Sequence, residues 1–302
     1  MDFLFKNYSL NHVKDLESIS EFGTVQLTLN HKVFPTKRGS VEMFRELCER
    51  FPEVRFICHY DFIYQVGKFQ YFTSSVKKAV AEELRGLLEL PCPNFLGVVS
   101  HVDVPYPRRV LERSDRVEYL RKSGVSPIFD SVNYINSSES FRVRESLSLS
   151  LYLLSNELPG GGKKIYLENT VRTDYSANPL DTIRLAILES GLSGCFGICL
   201  DNEHLFASNG LGLEYVNEFV ESCTFPLMLH LNAVPSEVKP YSFLDKHSET
   251  TIFESGHNPY TDFVMLGTRL NELGIPWVRE VKSPTRIREQ EQLEIWRKAI
   301  SH

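Results

Sequence analysis

Gly197-Ile-Cys-Leu-Asp-Asn-Glu-His204 is an apolar run that ends on an aspartate, with a histidine three positions later. A short continuous apolar run is typical of a strand that is buried on both faces of a parallel sheet. Carboxylates and imidazoles are also the groups that bind divalent metal ions in proteins. This stretch therefore predicts a buried strand whose carboxyl end carries candidate metal ligands.

Five other apolar runs share this design, each ending on histidine or glutamate. They are Phe56-Ile-Cys-His59, Gly97-Val-Val-Ser-His101, Ile165-Tyr-Leu-Glu168, Pro226-Leu-Met-Leu-His230 and Trp277-Val-Arg-Glu280. A single run of this kind is ordinary, because a histidine at its end can simply be buried in the core and donate a hydrogen bond to a backbone carbonyl. Six such runs in one chain rarely arise by chance. A (β/α) barrel places the carboxyl ends of its strands around one mouth. We therefore expect three histidines, one aspartate and two glutamates to converge there.

The alternation of strands and helices gives the fold class. Thr24–Leu29 and a weaker segment at Asp2–Phe5 raise the number of predicted strands to eight, and amphipathic segments lie between most of them. These segments are 41–50, 74–90, 140–156, 179–190, 213–221, 260–273 and 289–300. The pattern predicts an α/β protein, a (β/α)8 TIM barrel forming a single domain over residues 1–302.

One connection is too long for a minimal barrel. More than sixty residues separate His101 from Glu168, where one loop and one helix need about half that length. We expect an elaborated loop between strands 4 and 5 of the eight, with an insertion at about 102–139 on the catalytic face. It is either a surface excursion or a contact for substrate or partner.

Composition sets the broad class. The 302 residues are 42% hydrophobic and 24% charged, as in ordinary soluble proteins. With no membrane-length apolar stretch and no signal-peptide pattern, we expect an intracellular protein, cytoplasmic or nuclear, that is not secreted and has no membrane partner. The six cysteines form no C-x-x-C pair, which favours buried free thiols over disulfides.

The net charge of −6 argues against tight nonspecific binding of nucleic acid by a basic surface alone. Three divalent ions would add six positive charges, three times two, so the acidic composition does not exclude DNA.

Three more candidate ligands lie in loops beside the strand-end set: His204, Asp245 and His247. The nine candidates are nitrogen and oxygen donors, which suit Zn²⁺ or Mn²⁺. A catalytic zinc ion normally takes three protein ligands and a water, so nine candidates predict two or three ions. For any one of these histidines, simple packing in the core is the alternative.

These residues and their neighbours match a known pattern, from about Gly23 to Pro284. The matching motifs are Gln26-Leu-Thr-Leu-Asn30, His59-Tyr-Asp-Phe-Ile63, Leu167-Glu-Asn-Thr170, Gly197 to His204, His230-Leu-Asn232, Asp245-Lys-His247 and Gly274-Ile-Pro276 before Glu280. The chain resembles the endonuclease IV family, zinc-dependent AP endonucleases on a (β/α)8 barrel of the xylose-isomerase-like type. Every metal-ligand position of that family is filled by the expected residue type.

The resemblance implies a DNA-repair endonuclease that hydrolyses the phosphodiester 5′ to abasic sites with three zinc ions and a metal-activated hydroxide, with Mn²⁺ as a partial substitute. The first ion would be bound by His59 and His101, with Glu168 bridging it to the second. The second would be completed by Asp201, His230 and Glu280, and the third by His204, Asp245 and His247. Glu168 and Glu280 would thus be the catalytic ligands.

The same resemblance implies double-stranded DNA containing abasic sites as the partner of a monomeric enzyme. Lys32, Phe62 and Ile63 match the family's DNA-contacting positions, and the apolar pair is suited to unstacking bases. The alternative is that both apolar residues pack under a loop.

The chain also departs from the family. The usual Gly-x-His-Val-Ser opening strand is absent, and Ala233 replaces an aspartate that would support the metal ligands. The main rival is a metal-dependent sugar isomerase or epimerase on the same barrel, which would use Glu168, Asp201, His230 and Glu280. A second rival is a noncatalytic binder of damaged DNA. The additional histidines and Asp245 favour the nuclease over both.

Overall fold

Seven parallel β-strands form the centre of the part of the chain that the structure describes. The computed structural model describes residues 23–29, 37–60, 64–102, 140–160, 162–170, 178–191, 194–232, 234, 238–240 and 260–279. Each strand pairs with the next in chain order: β1 (Thr24–Thr28), β2 (Arg55–His59), β3 (Phe95–His101), β4 (Lys164–Glu168), β5 (Phe196–Asp201), β6 (Leu227–His230) and β7 (Trp277–Val278). Because β7 also lies beside β1, the sheet is nearly closed into a barrel.

Helices alternate with these strands along the chain. They are α1 (Lys37–Arg50), a 3-10 helix (Val66–Tyr71), α2 (Ser74–Leu88), α3 (Ser140–Ser155), α4 (Pro179–Glu189), α5 (Asn202–Asn209), α6 (Leu213–Ser222) and α7 (Tyr260–Glu272). Parallel strands joined by helices confirm the predicted TIM-barrel architecture. The predicted strand at 2–5, the helix at 289–300 and the insertion beyond Val102 lie outside the described residues.

Strand register brings the predicted strand ends together at one mouth. His101 pairs with Glu168 across β3 and β4, and Asp201 pairs with His230 across β5 and β6. The described strands lie close to their predicted bounds. One difference is that β6 begins at Leu227, because Pro226 has no N–H to donate to a neighbouring strand, and another is that β7 ends at Val278.

Inside the barrel, an aromatic ring occupies space that two glycines leave open. Tyr166 on β4 lies between Gly97 on β3 and Gly197 on β5. A Cβ added at Gly197 would lie 2.8 Å from Tyr166 Cδ1 and 2.6 Å from the Pro226 carbonyl oxygen. Gly97 has φ +149° and the same neighbour, with Tyr166 Cε2 3.1 Å from its added Cβ. Both positions therefore need glycine for the ring to fit.

The cysteines are free thiols, as the spacing predicted. Five are buried and Cys223 is half-buried. Burial is the main cause that raises the pKa of the Cys58 thiol well above its usual range, so this thiol stays protonated and unreactive. No helix in the described part of the chain is both long enough and apolar enough to cross a membrane.

Candidate metal centre

Six of the nine predicted ligands lie together at the mouth of the barrel, around the buried carboxylate of Glu168. The other five are His59, His101, Asp201, His204 and His230. Each except His204 is the last residue of its strand, so the barrel itself fixes the backbone positions. A buried carboxylate without a counter-charge is costly, so this cluster requires a cation or protonated neighbours.

The two oxygens of Glu168 face different pairs of histidines. Oε2 lies 3.1 Å from His59 Nε2 and 3.2 Å from His101 Nε2. Oε1 lies 3.0 Å from His230 Nδ1 and 3.7 Å from His204 Nδ1. The His59 and His101 rings are edge to face, with centroids 5.0 Å apart. Glu168 therefore stands between two groups of ligands, one on each oxygen.

Asp201 joins the Oε1 side of the cluster. Its Oδ2 lies 3.7 Å from His230 Nδ1, and its Oδ1 lies 3.9 Å from His204 Nδ1. Asp201 is also the N-cap of α5, where Oδ1 accepts a hydrogen bond of 2.8 Å from the His204 backbone N–H. The cap turns the chain so that His204 comes back towards Glu168. This short helix was absent from the sequence prediction, although an aspartate before it and Gly210 in the left-handed conformation after it are standard end signals.

Hydrogen bonds on the far side of each ring determine which nitrogen faces the cluster. His59 Nδ1 lies 3.1 Å from the Tyr60 carbonyl oxygen, and His230 Nε2 lies 3.0 Å from Gln26 Oε1. A nitrogen that donates to these oxygens carries the proton, so the opposite nitrogen has its lone pair available for an ion. His59 is thus oriented to bind through Nε2 and His230 through Nδ1. His204 differs, because its Nδ1 is the nitrogen 3.7 Å from Glu168 Oε1 and also donates to the Asn169 carbonyl oxygen at 2.9 Å, which leaves Nε2 as its ligand atom.

Three asparagines tie the ends of β4, β5 and β6 together. Asn169 Nδ2 donates to the Asp201 carbonyl oxygen, and Asn169 Oδ1 accepts from the Asp201 N–H at 2.8 Å. Asn202 and Asn232 exchange a similar pair of bonds, of 2.8 and 2.6 Å. Asn232 Nδ2 also donates to Asp201 Oδ2 at 3.0 Å. These bonds hold Asp201 in place from both neighbouring strands, although residue 233 is an alanine and offers no carboxylate.

Sequence reasoning missed Cys199 and Gln26 as neighbours of the site. One ligand atom each from Glu168, Cys199 and His230 lie within 4.8 Å of one another. Cys199 is two positions before Asp201 on β5, so strand alternation was the signal that could have found it. Gln26 appeared only as part of a motif, because its contact with His230 spans 204 positions.

The donor set fits divalent metal ions. Ligand atoms at the usual zinc distances in a tetrahedral site lie roughly 3.3 Å apart. The separations of 3.0–3.2 Å between Glu168 and its three nearest histidine nitrogens are close to that spacing. Imidazole and carboxylate donors suit Zn²⁺ and Mn²⁺. Each side of Glu168 therefore offers a candidate set of metal ligands.

The remaining predicted site residues lie outside the described part of the chain. They are the ligand candidates Asp245, His247 and Glu280 and the DNA-contact candidates Lys32, Phe62 and Ile63. Their roles stay predictions.

Comparison with known proteins finds similarity in structure only. No protein-family model matches the chain, and no curated protein matches it in sequence. Among solved structures, endonuclease IV from Thermus thermophilus matches with a TM-score of 0.57 and 14% identity, covering 99% of this chain and 98% of that one. A D-tagatose 3-epimerase-like protein matches with a TM-score of 0.57 and 18% identity, covering 100% and 97%. The IolI protein with a bound zinc atom matches with 0.57 and 15%, covering 99% and 96%.

At these identities the similarity establishes the shared barrel fold and does not establish an activity. An activity has to be inferred from the side chains at the mouth.

Proposed function

We propose that this protein is a metal-dependent endonuclease that hydrolyses the phosphodiester 5′ to abasic sites in double-stranded DNA. The observation that carries the proposal is the position of Glu168. Its Oε2 faces His59 and His101, while its Oε1 faces His230. A carboxylate with imidazoles on both oxygens is suited to bridge two metal ions. Sites with two metal ions about 3.5–4 Å apart are typical of enzymes that cleave phosphodiesters.

The alternative, a sugar isomerase or epimerase, needs fewer ligands. Its metal core would be Glu168, Asp201 and His230, with Glu280 expected to complete it. His59 and His101 would then be two buried imidazoles without a function, each within 3.2 Å of Glu168 Oε2. Replacement of a buried ion pair by well-packed apolar residues is often neutral or stabilising, so stability alone does not account for two imidazoles on this carboxylate. The pair on Oε2 favours the nuclease.

The ligands divide into three groups under this proposal. His59, His101 and Glu168 would hold one ion. Glu168, Asp201 and His230 would hold the second together with Glu280, and His204, Asp245 and His247 the third. Bound divalent ions lower the pKa of a water ligand towards neutrality and neutralise the charge that develops on the phosphate.

Neighbouring residues orient the metal-ligand side chains. The backbone carbonyl of Tyr60 and the side-chain oxygen of Gln26 keep the His59 and His230 rings turned towards Glu168. Asn232 keeps one Asp201 oxygen fixed by donating to it. Lys32, Phe62 and Ile63 are the proposed contacts to the DNA duplex, with the two apolar side chains unstacking bases at the lesion.

A paired assay tests the proposal. Zinc-loaded protein is incubated with a duplex that carries one abasic-site analogue, and in parallel with a ketohexose. We expect one incision on the 5′ side of the lesion that leaves a 3′-hydroxyl, and no change in the sugar.

An undamaged duplex of the same sequence is the control, and it should stay intact. Epimerisation of the sugar without incision would contradict the nuclease and support the alternative. Tight binding of the abasic duplex without incision at any zinc or manganese concentration would instead support a noncatalytic binder.

A further inference from the structure

A buried glutamate lies on α2, outside the group of metal ligands. This residue, Glu83, is only 4% exposed. Ser40 Oγ donates to its Oε1 and Tyr60 Oη donates to its Oε2, both at 2.6 Å. This length is characteristic of a hydroxyl that donates to an ionised carboxylate. Glu83 thus holds a buried negative charge stabilised by hydroxyl groups from α1 and from the end of β2.

One of these two donors is directly connected to the metal centre. Tyr60 follows His59, and its carbonyl oxygen lies 3.1 Å from His59 Nδ1. The Tyr60 backbone N–H donates to the Val99 carbonyl oxygen at 2.7 Å, which fixes this residue to β3. The phenol hydroxyl reaches Glu83 on α2 instead. A single residue therefore links the Glu83 carboxylate on one side with the His59 ring on the other.

We propose that Glu83 and Tyr60 are positioning residues for His59. The Tyr60–Glu83 hydrogen bond fixes the backbone carbonyl that accepts from His59 Nδ1. With the proton on Nδ1, Nε2 is the nitrogen that can bind an ion shared with Glu168 Oε2, and these two atoms lie 3.1 Å apart. Loss of the Tyr60 hydroxyl lets that carbonyl move and lets the ring take its other tautomer. The expected consequence is a lower affinity for the ion on the His59–His101 side of Glu168. Removal of a hydrogen-bond partner behind a metal ligand typically lowers metal affinity 10–100-fold.

Ser40 supplies a matched control. Tyr60→Phe and Ser40→Ala each remove one hydroxyl donor from the same buried carboxylate, so each leaves Glu83 with a similar electrostatic deficit. Of these two donors, Tyr60 is the one that is adjacent to His59 in the chain and accepts from its ring. A purely structural role for Glu83 predicts equal effects of the two changes, whereas the positioning role predicts an effect of Tyr60→Phe alone at the metal centre.

Two measurements on the full chain separate these roles. In zinc-loaded protein, long-range proton–nitrogen NMR of the His59 ring reports whether Nδ1 carries the proton and Nε2 binds the ion. In zinc-loaded protein, the zinc retained against a graded series of chelator reports metal affinity. We expect Tyr60→Phe to reduce the fraction of His59 rings that carry the proton on Nδ1 and to lower the affinity for one zinc ion by about 10-fold. Ser40→Ala should leave both at the parent's values.

Equal changes in both variants, or an unchanged His59 ring in Tyr60→Phe, would overturn the proposal. If Tyr60→Phe does not fold, Glu83→Gln keeps the shape of the side chain while weakening the hydrogen bond to Tyr60. It should shift the tautomer in the same direction, and a folded Glu83→Gln with the parent's tautomer would overturn the proposal equally. The inference rests on the proposed metal centre, but neither measurement uses DNA. A negative result in the nuclease assay therefore does not change how these two measurements are interpreted.

Discussion

Glu168→Gln should lower the rate of abasic-duplex cleavage by about 10³-fold or more, which corresponds to about 4 kcal/mol of transition-state stabilisation. The change keeps the size of the side chain and replaces one carboxylate oxygen by an amide NH₂ group. That group is a donor and cannot bind a cation, so one of the two ligand groups facing Glu168 loses its shared ligand. Steady-state cleavage of a duplex with one abasic-site analogue measures the effect.

Glu157→Gln is the matched control, because the Glu157 side chain is exposed and pairs with the Arg85 side chain at the surface, 3.7 Å away. It should retain the parent's rate. Circular dichroism should show both variants folded. Cleavage by Glu168→Gln within about tenfold of the parent, with the full number of ions still bound, would contradict a bridging role for Glu168.

The His59→Asn, His101→Asn double variant should lose one metal ion and abolish measurable cleavage. Both imidazoles face Glu168 Oε2, 3.1 and 3.2 Å away, and among the described residues they are the nitrogen ligands on that side. His230 and Asp201 lie on the other side and should keep their ion. Elemental analysis and cleavage assays on the same preparation measure the two effects, and the retained ion is an internal control for folding.

This double variant also separates the nuclease from the epimerase. An epimerase that uses only Glu168, Asp201, His230 and Glu280 would keep its metal and its turnover of sugar. Loss of every ion would show that the two sides of Glu168 do not bind independently. Loss of none would show that His59 and His101 are packing residues of the barrel interior.

The positions of these ligands were predictable from the sequence because parallel strands place their carboxyl ends on one edge. The apolar runs before His59, His101, Glu168 and Asp201 have the length of buried strands, and each of these residues ends its strand as expected. Alternation along a strand then determines which side chains face the interior. The barrel and the convergence of the five strand-end ligands follow from these two rules, whereas His204 is positioned by the helix that follows β5.

The orientation of the rings was not predictable, because it depends on contacts between distant parts of the chain. His230 is oriented by Gln26 across 204 positions, and Asp201 is held by Asn169 and Asn232 from the two neighbouring strands. Nothing in the local pattern pairs these residues. The helix at Asn202–Asn209 was missed for a different reason: six of its eight residues are buried, so it shows no amphipathic periodicity.

The space that the Tyr166 ring occupies could likewise not be predicted from the sequence. Gly97 and Gly197 look like ordinary residues at the start of strands, and only the register of three strands brings them to the two sides of one ring. The assignment of ligands to two sides of Glu168 has the same origin. Residue type and spacing predicted which side chains meet, but the separate faces of one carboxylate are a property of the folded barrel.

Anomalous X-ray diffraction at the zinc edge from crystals of the zinc-loaded protein tests most directly whether Glu168 lies between two ions. We expect at least two zinc peaks at the mouth of the barrel, one beside Glu168 Oε2 with His59 and His101 and one beside Oε1 with Asp201 and His230. A single peak coordinated by Asp201 and His230, with His59 and His101 free of metal, would contradict this arrangement.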